Sequence, residues 1–301
     1  MFSPVTGSIG KYSLIIIAVL AAALWAARWY QARALSSAVA DLQARALRQP
    51  VQSKFPRSLE ELPPPVRRYL NHVLPPDRIL KFIRYEQAGF IRANPMSDRW
   101  MQFTASQVIS PETTEFLWTA HASIAPLLRV EVADSLLGGI GGGRVLLLSA
   151  IPIASAAGNM EMNSGALHRF LAEAVWYPSA LLPSPHLTWA PVDDHTAIAT
   201  LADEVTAVSL EFRFNSQDEV TGIYTPGRWG TFDGGYRKVA WEGKFRRYFR
   251  QQGLLIPGEG EVGWHLNGEW RSVWQGTVMS ASMEFQQELR GTKEKVVAMK
   301  Y

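Results

Sequence analysis

The chain contains no cysteine among its 301 residues. Disulfide bonds, thiolate metal sites and cysteine nucleophiles are therefore excluded. A strong excess of one charge is also missing: the net charge at pH 7 is only +3, and we predict no nucleic-acid partner. The Gly-x-Ser-x-Gly pattern of hydrolases and histidine pairs at metal spacing are missing, so we predict no catalytic residue, metal ligand or cofactor. Because residues distant in sequence can meet in a fold, an enzyme stays an open alternative.

No charged residue stands between Tyr12 and Ala27. With the aromatic residues up to Tyr30, the stretch approaches the roughly 20 residues needed to cross a bilayer. It is apolar all round its circumference, which argues against a helix in the core of a soluble domain. We predict that residues 1–30 form a retained membrane anchor that contacts lipid from Tyr12 to Tyr30. A cleaved signal peptide is the alternative, with Lys11 as its basic residue.

Residues 31–57 are predicted to form a helical stalk followed by a linker. The segment Gln31–Gln49 has the pattern of a helix that continues the anchor, and Pro50 ends it. Its apolar residues near one stripe are Leu35, Val39, Leu42 and Leu47. The linker is Gln52–Arg57, and residues 58–301 then form a soluble β-rich domain.

This domain opens with two short helical segments, Ser58–Glu61 and Val66–Val73, and from Ile79 onward it has the pattern of strands. Runs rich in strand-forming residues alternate with Pro, Gly, Asn and Asp. The predicted strands are Lys81–Ile91, Arg99–Val108, Thr114–His121, Leu128–Val132, Val145–Ile153, Thr196–Leu201, Val205–Phe214, Glu219–Tyr224, Lys238–Phe249 and two more near the C-terminus. We therefore predict an α+β domain built on a large antiparallel sheet.

The clearest helix among these strands is Asn163–Trp176, whose apolar residues recur at helical spacing. Asn163 or Ser164 can cap its start, and Pro178 lies just beyond its end. The following segment, Pro183–Pro191, is predicted to be a loop. We expect the helix to pack on the sheet.

Three clusters could carry chemistry, but each has a simpler structural interpretation. Asp193-Asp194-His195 stands where Asp and His commonly form turns. The glycines of Gly138–Gly143 lack the Lys-Ser/Thr of a phosphate-binding loop, and they favour a connection between strands. Glu161 and Glu173 could form an acid–base pair, but Glu173 lies one helical turn after Arg169, which favours a solvated ion pair.

The segment Trp264–Trp270 predicts a hairpin with its turn at Asn267-Gly268. A two-residue loop would put Trp264 and Trp270 on opposite faces of the sheet. A three-residue loop would pair them and place both, with Trp274, on one face. Because a slip by one residue reverses every side chain, we predict the three-residue loop.

The segment Trp241–Arg250 alternates between two faces. Trp241, Phe245 and Phe249 take one face; Glu242, Lys244, Arg246, Tyr248 and Arg250 take the other. A half-buried strand with a solvated outer face explains this pattern, and the functional alternative is a basic stripe that faces anionic lipid headgroups. The candidate ligand-binding residues are therefore Trp241, Phe245, Trp264, Trp270 and Trp274. The candidate headgroup-binding residues are Lys244, Arg246 and Arg250.

Several segments resemble an uncharacterised bacterial family known only as a domain of unknown function. They are Leu62–Leu70 (LPPPVRRYL), Trp100–Gln107 (WMQFTASQ), Arg169–Pro178 (RFLAEAVWYP) with Ala180–Pro183, and Ile256–Trp264 (IPGEGEVGW). Together they sample most of residues 60 to 275, but they imply no catalytic residue. The segment Phe103–Gln107 is similar to the LolA/LolB-like fold. That resemblance implies a curved antiparallel sheet, an incomplete barrel that holds lipid or lipoprotein acyl chains on its concave side.

We predict non-enzymatic binding of an apolar ligand, a lipid or a lipidated partner, by a domain anchored to the cell membrane through a single pass. A membrane-associated hydrolase and a structural envelope protein are the alternatives. Two arguments disagree about the side of the membrane. The positive-inside rule favours the cytoplasm, because the domain side of the anchor carries Arg28, Arg33, Arg45 and Arg48. The fold resemblance favours the extracytoplasmic side, which we predict.

Overall fold

The computed structural model describes residues 5–48, 59–76, 78–125 and 128–287, with side chains from Lys11 onward. The helices are α1 Val5–Arg48, α2 Pro64–Val73 and α3 Met160–Glu173, with short 3₁₀ turns at Leu59–Glu61, Ala174–Trp176 and Pro178–Leu181. The strands are β1 Arg78–Ile91, β2 Met101–Ser110, β3 Glu115–Ala125, β4 Leu128–Leu137, β5 Ile140–Leu147, β6 Ile151–Ala157, β7 Leu187–Asp193, β8 Thr196–Ala202, β9 Ala207–Phe214, β10 Val220–Phe232, β11 Gly235–Gln251, β12 Leu254–Leu266 and β13 Glu269–Gln287.

The strands form one 13-stranded antiparallel sheet in the order β6-β5-β4-β3-β2-β1-β13-β12-β11-β10-β9-β8-β7. Most strands pair with their neighbours in sequence, and the first strand pairs with the last in the middle of the sheet. The sheet curves into a half-barrel with free edges at β6 and β7. The predicted fold class is therefore confirmed: α+β, with a large curved antiparallel sheet and packed helices.

Helix α3 connects the two free edges and packs on the inner face of the sheet, against β4, β5, β9 and β10. Its residues Leu167, Phe170 and Leu171 are buried there, as their helical spacing predicts. Helix α2 packs on the same face through Tyr69 and Leu70. The main core therefore lies inside the curve of the sheet.

Helix α1 runs without a break from the apolar segment into the predicted stalk. The stalk does not stand clear of the domain, because Leu42 and Ala46 are fully buried against Phe82 and Val108 on the outer face of the sheet. Nearer the N-terminus of the same helix, the Gln31 side chain accepts a 2.8 Å hydrogen bond from Arg144. The helix therefore belongs partly to the folded domain. The predicted linker Gln52–Arg57 lies outside the described residues.

The structure corrects two of the predicted segments. The predicted strand Val145–Ile153 is split by a turn at Leu148 and Ser149, both with φ near +54°. Neither residue is Gly or Asn, the types that adopt positive φ most readily, so the sequence indicates this turn only weakly, through Ser149. The predicted loop Pro183–Pro191 is also partly wrong, because it ends inside β7. This strand is at the edge of the sheet, where a proline without an N–H is tolerated.

The start of α3 is also corrected. Asn159 is the N-cap, and its side chain accepts a 2.7 Å hydrogen bond from the Met162 amide. Asn163, predicted to cap the helix, lies in its first turn and accepts instead a 2.8 Å hydrogen bond from the Gly141 amide in β5. This tertiary hydrogen bond explains why the local pattern was misleading. Gly138 and Gly139 form the β4–β5 turn, and Gly141–Gly143 belong to β5.

Candidate functional site

A cavity of about 190 Å³ lies between α3 and the inner face of the sheet. Its wall is rich in aromatic residues, and it includes five tryptophans that come from five separate segments of the chain. They are Trp118 of β3, Trp176 of the turn after α3, Trp241 of β11, Trp264 of β12 and Trp274 of β13. The sheet and the helix together thus create a concave apolar site that no single segment contains.

Close packing on a glycine positions Trp176 in this wall. Its Nε1–H donates a 2.8 Å hydrogen bond to the Pro257 carbonyl, and its ring meets Phe245 edge-on at 5.4 Å between centroids. The six-membered part of the ring lies over Gly260 of β12, where a Cβ would stand only 2.8 Å from Cη2. A glycine is therefore required for this approach. Trp274 packs beside Trp176 at 6.3 Å.

One side of the cavity carries a satisfied ionic network centred on Arg169 of α3. Its guanidinium donates to Asp134 at 2.8 Å and to Glu173 at 2.7 Å, and it lies 4.8 Å from the centroid of the Trp118 ring. Glu173 also accepts a 2.6 Å hydrogen bond from Gln107. Burial lowers the pKa of Arg169, but the two carboxylates raise it by more, so the net pKa is above its usual value. The predicted Arg169–Glu173 ion pair is present, but it is largely buried, whereas we expected it to be solvated.

A second cation, Arg228 of β10, has a different environment. Its guanidinium lies 4.6 Å from the ring centroid of Trp241 and 5.2 Å from that of Trp264. It donates a 3.0 Å hydrogen bond to the Gly165 carbonyl. Its Nε is buried and has no acceptor within the described part of the chain. Burial, followed by repulsion from Arg169, lowers the pKa of Arg228 to about 10, so the group stays charged at neutral pH.

A second chamber, of about 230 Å³, adjoins the cavity. The two share Asp134, Arg169, Arg228 and Trp264 in their walls. The rest of the wall of the second chamber is more polar, with hydroxyl and carboxylate side chains. These include Ser135, Glu161, Thr231 and Tyr236. An apolar chamber and a polar chamber thus meet at the two arginines.

Four of the five predicted ligand-binding residues line the cavity: Trp241, Phe245, Trp264 and Trp274. The fifth, Trp270, does not, because the predicted three-residue hairpin loop is wrong. Leu266 pairs with Glu269, so the loop is Asn267-Gly268 alone, with φ of +53° and +82°. This is the turn geometry that fits the twist of a hairpin. Trp264 therefore pairs with Arg271, and Trp270 faces outward.

A β-bulge explains why Trp274 still faces the cavity. The pairing shifts between Gly263 with Ser272 and Val262 with Trp274, which leaves Val273 as an extra residue. Four residues apart on a regular strand, Trp270 and Trp274 would share a face. The extra residue reverses the alternation between them.

The predicted headgroup-binding residues are not beside the cavity. Lys244 and Arg246 lie on the outer face, because they alternate with Trp241 and Phe245, and Arg250 is exposed near the C-terminal end of β11. Lys244 lies 3.8 Å from the centroid of the Trp270 ring, and Arg246 forms a 2.6 Å ion pair with Glu259. Lys244 and Arg246 thus lie on the face opposite Trp241 and Phe245, as the alternation predicts, and each has a partner of its own. Headgroup binding by these cations stays a prediction.

The predicted alternation of β11 also ends early. Arg247 has φ of +60°, which interrupts the regular strand. Tyr248, predicted on the outer face, packs against the main core, and its hydroxyl donates to the Val220 carbonyl at 2.8 Å.

Comparison with known proteins identifies the family of this chain. A family model described as a family of unknown function, DUF6544, matches residues 53–276. The chain belongs to the DUF6544 family. The match includes every residue named above in the wall of the cavity, and it confirms the resemblance that the sequence segments suggested. No curated protein matches the sequence.

This DUF6544 chain resembles solved structures only weakly. A LolA superfamily protein from Nitrosomonas europaea has 10% identity and a TM-score of 0.34, covering 73% of this chain and 92% of its own. A beta-barrel-like protein of a domain of unknown function, DUF1849, from Brucella abortus has 9% identity and a TM-score of 0.21, covering 69% and 99%.

Sequence reasoning missed most of the wall of the DUF6544 cavity, including Trp118, Trp176, Arg169 and Arg228. The glycines in Ile256–Trp264 were one signal that could have indicated the position of Trp176, because a glycine inside a strand often marks a site where another group approaches the backbone closely. Nothing in the local sequence indicates that Arg228 is buried.

The Asp193-Asp194-His195 cluster forms the turn between β7 and β8, where the Asp193 side chain accepts a 2.8 Å hydrogen bond from the His195 amide. Among the described residues, no group of His, Asp and Glu is arranged to hold a metal ion.

Proposed function

We propose that this protein binds an apolar ligand without transforming it, in the tryptophan-lined cavity inside the half-barrel. The observation that carries the proposal is the convergence of five tryptophans and Phe245 on one concave space. Ligand sites are typically concave and mostly apolar, with a few polar groups that orient the ligand. Neither alternative function, the hydrolase or the structural envelope protein, has a specific observation in its favour among the described residues.

The volume limits what can enter. A cavity of about 150 Å³ lined by apolar side chains is large enough for benzene, whereas sites for whole drug-sized ligands run from roughly 300 to 1,000 Å³. The 190 Å³ cavity therefore suits a single ring or a short alkyl segment. A lipid or a lipidated partner would place only the end of an acyl chain there.

The proposal includes attachment to a membrane through the first half of α1. The described residues contain one helix, Lys11–Arg48, that is long and apolar enough to cross a membrane, and a signal sequence would have the same properties. Its apolar side chains from Tyr12 to Leu20 are exposed, whereas Leu42 and Ala46 are buried on the sheet. Because α1 continues without a break from the apolar segment into the residues that pack on the sheet, we propose a retained single-pass anchor, with the domain on the extracytoplasmic side.

Attachment is tested by washing membranes with carbonate and measuring the intact mass of the retained chain. We expect the full-length chain, with its N-terminus, to stay in the membrane fraction. Release by carbonate, or a mass that lacks the apolar segment, would contradict the anchor. Protease added to spheroplasts should digest the domain, and protection would reverse the proposed side.

Ligand binding is tested with the full chain in lipid nanodiscs, by titration with a fluorescent fatty acid and tryptophan energy transfer. Ala172 of α3 is buried and lines the cavity, so Ala172→Leu adds three carbons to it. We expect this variant to bind at least about 10-fold more weakly, since a ligand and the larger side chain compete for one space. The matched control is Ala154→Leu on the exposed edge strand β6, which should not change the affinity.

Equal affinity of Ala172→Leu and the parent chain, with both folded, would place the ligand elsewhere. Absence of saturable binding by the folded parent chain would refute the proposed function.

A further inference from the structure

We propose that the ligand is an amphiphile with a single negative charge, and that Arg228 binds this charge where the tryptophan-lined cavity meets the polar chamber. The inference rests on the proposed function and adds the chemical class of the ligand. It replaces the outer-face cations with a cation inside the site.

The first argument is the difference between the two arginines in the wall. Arg169 has two carboxylate partners, Asp134 and Glu173, within 2.8 Å. Arg228 has one hydrogen bond, to a neutral carbonyl of Gly165, and its buried Nε–H lacks an acceptor in the described chain. Asp134 and Glu173 act on Arg228 through space and raise its pKa, but neither forms a direct ion pair with it in the described chain. A buried donor without an acceptor is costly, and such a group usually has a functional reason. A ligand anion would supply the missing partner.

The second argument is the position of Arg228 between two tryptophan rings. Trp241 and Trp264 hold the guanidinium by cation–π contacts on the apolar side, and both rings also line the cavity. A ligand that fills the cavity would cover the same rings and exclude water from the arginine. An ionic hydrogen bond gains strength in such surroundings. Occupancy of the apolar space and recognition of the charge are thus expected to reinforce each other.

The third argument is the arrangement of the two chambers. Arg228 and Trp264 belong to both walls, so a ligand with its apolar end in the cavity would bring its polar end to Arg228 and the polar chamber. The chambers also contain the carboxylates of Asp134, Glu173 and Glu161. Asp134 and Glu173 form ion pairs with Arg169. Because all three carboxylates are negatively charged, they disfavour a ligand with more than one negative charge. A monocarboxylate with a short alkyl or aryl body matches this distribution.

The test uses a matched series of eight-carbon ligands: octanoate, octanol and octylamine. Binding to the full chain in nanodiscs is measured by tryptophan fluorescence at pH 7.5, with empty nanodiscs of the same lipid subtracted. Charge-assisted hydrogen bonds exceed neutral ones, so octanoate should bind about 10- to 100-fold more tightly than octanol. Octylamine should bind most weakly, because Arg228 would repel it.

The matched variants are Arg228→Gln inside the site and Arg246→Gln on the outer face. Arg228→Gln should reduce the octanoate preference over octanol to less than about 3-fold. Arg246→Gln should retain the full preference. If Arg228→Gln fails to fold, Arg228→Lys is used instead. Lysine keeps the positive charge but lacks the planar guanidinium, so the preference for octanoate should be reduced but still present.

The outcomes separate the two proposals. Equal binding of octanoate and octanol by the parent chain would overturn the anionic ligand while the apolar site stands. A preference that survives Arg228→Gln but is lost in Arg246→Gln would overturn the assignment to Arg228. Saturable binding of none of the three ligands would refute the proposed function itself.

Discussion

Replacing Gly260 by alanine would test the wall of the cavity directly. The added Cβ would lie 2.8 Å from Cη2 and 2.9 Å from Cζ2 of Trp176, closer than carbon atoms normally approach. Trp176 is not free to withdraw, because its Nε1–H donates to the Pro257 carbonyl and its ring packs against Phe245 and Trp274. The strand or the ring must therefore shift.

The expected cost follows from two opposing effects. Overpacking of a close-packed core costs about 1–3 kcal/mol. Replacing glycine by alanine also restricts the unfolded chain, which stabilises the folded state by about 0.4–1 kcal/mol. We therefore expect Gly260→Ala to lower the free energy of unfolding by about 1–2 kcal/mol. For a domain of this size, that corresponds to a melting temperature lower by roughly 4 °C.

The assay is thermal and urea unfolding of the full chain, with a double-mutant cycle. Trp176→Phe removes the part of the ring that meets the new Cβ, so Gly260→Ala should cost less in that background. Gly227→Ala, also in a strand, is the matched control, because its Cβ would have no neighbour closer than 3.9 Å. If Gly260→Ala melts with the parent chain and shows no coupling to Trp176→Phe, the reasoning about this wall is refuted.

Further predictions concern pH, the hairpin and the stalk. Burial, followed by repulsion from nearby cations, lowers the pKa of His168 from 6.5 to about 4. Below pH 6.5 the unfolded chain binds this proton more readily than the folded state, so the folded state has its full stability above pH 6.5 and loses stability as the pH falls. Urea unfolding should show a loss of about 3 kcal/mol in the free energy of unfolding at pH 4, and His168→Gln should abolish this part of the pH dependence. A pH profile that His168→Gln leaves unchanged would contradict the prediction. Trp264→Ala should cost about 3–5 kcal/mol and the outward Trp270→Ala only about 1–2, and similar losses of about 3–5 kcal/mol from both variants would restore the rejected register. A chain that starts at Gln31 should melt near the full-length chain, whereas one that starts at Ser53 should lose about 2–5 kcal/mol, because it lacks the α1 residues buried on the outer face. Equal melting of the two would show that the stalk does not stabilise the domain.

Local patterns were sufficient for the elements that depend on local forces. The apolar run from Tyr12, the periodicity of α3 and the alternation of Trp241–Phe245 each follow from neighbouring residues, and each was read correctly. The errors occurred where a distant partner overrode a local signal. Asn163 is drawn away from capping by the amide of Gly141, and the hairpin that ends at Trp270 takes the shorter turn.

The sequence by itself determined that one end of the chain is an apolar helix and that the rest builds a large antiparallel sheet with one main helix. These features depend on the period of apolar residues, which is a property of short segments. Only the tertiary structure decided the cavity. Trp118 and Trp274 meet because the first and last strands pair in the middle of the sheet, and one extra residue at Val273 turns Trp274 inward. The Nε of Arg228 is buried because the strand that carries this residue passes beneath α3, a contact made by segments more than 60 residues apart. Register, bulges and long-range packing are set by the whole fold, so the residues that we propose to bind the ligand could not be assembled from the sequence alone.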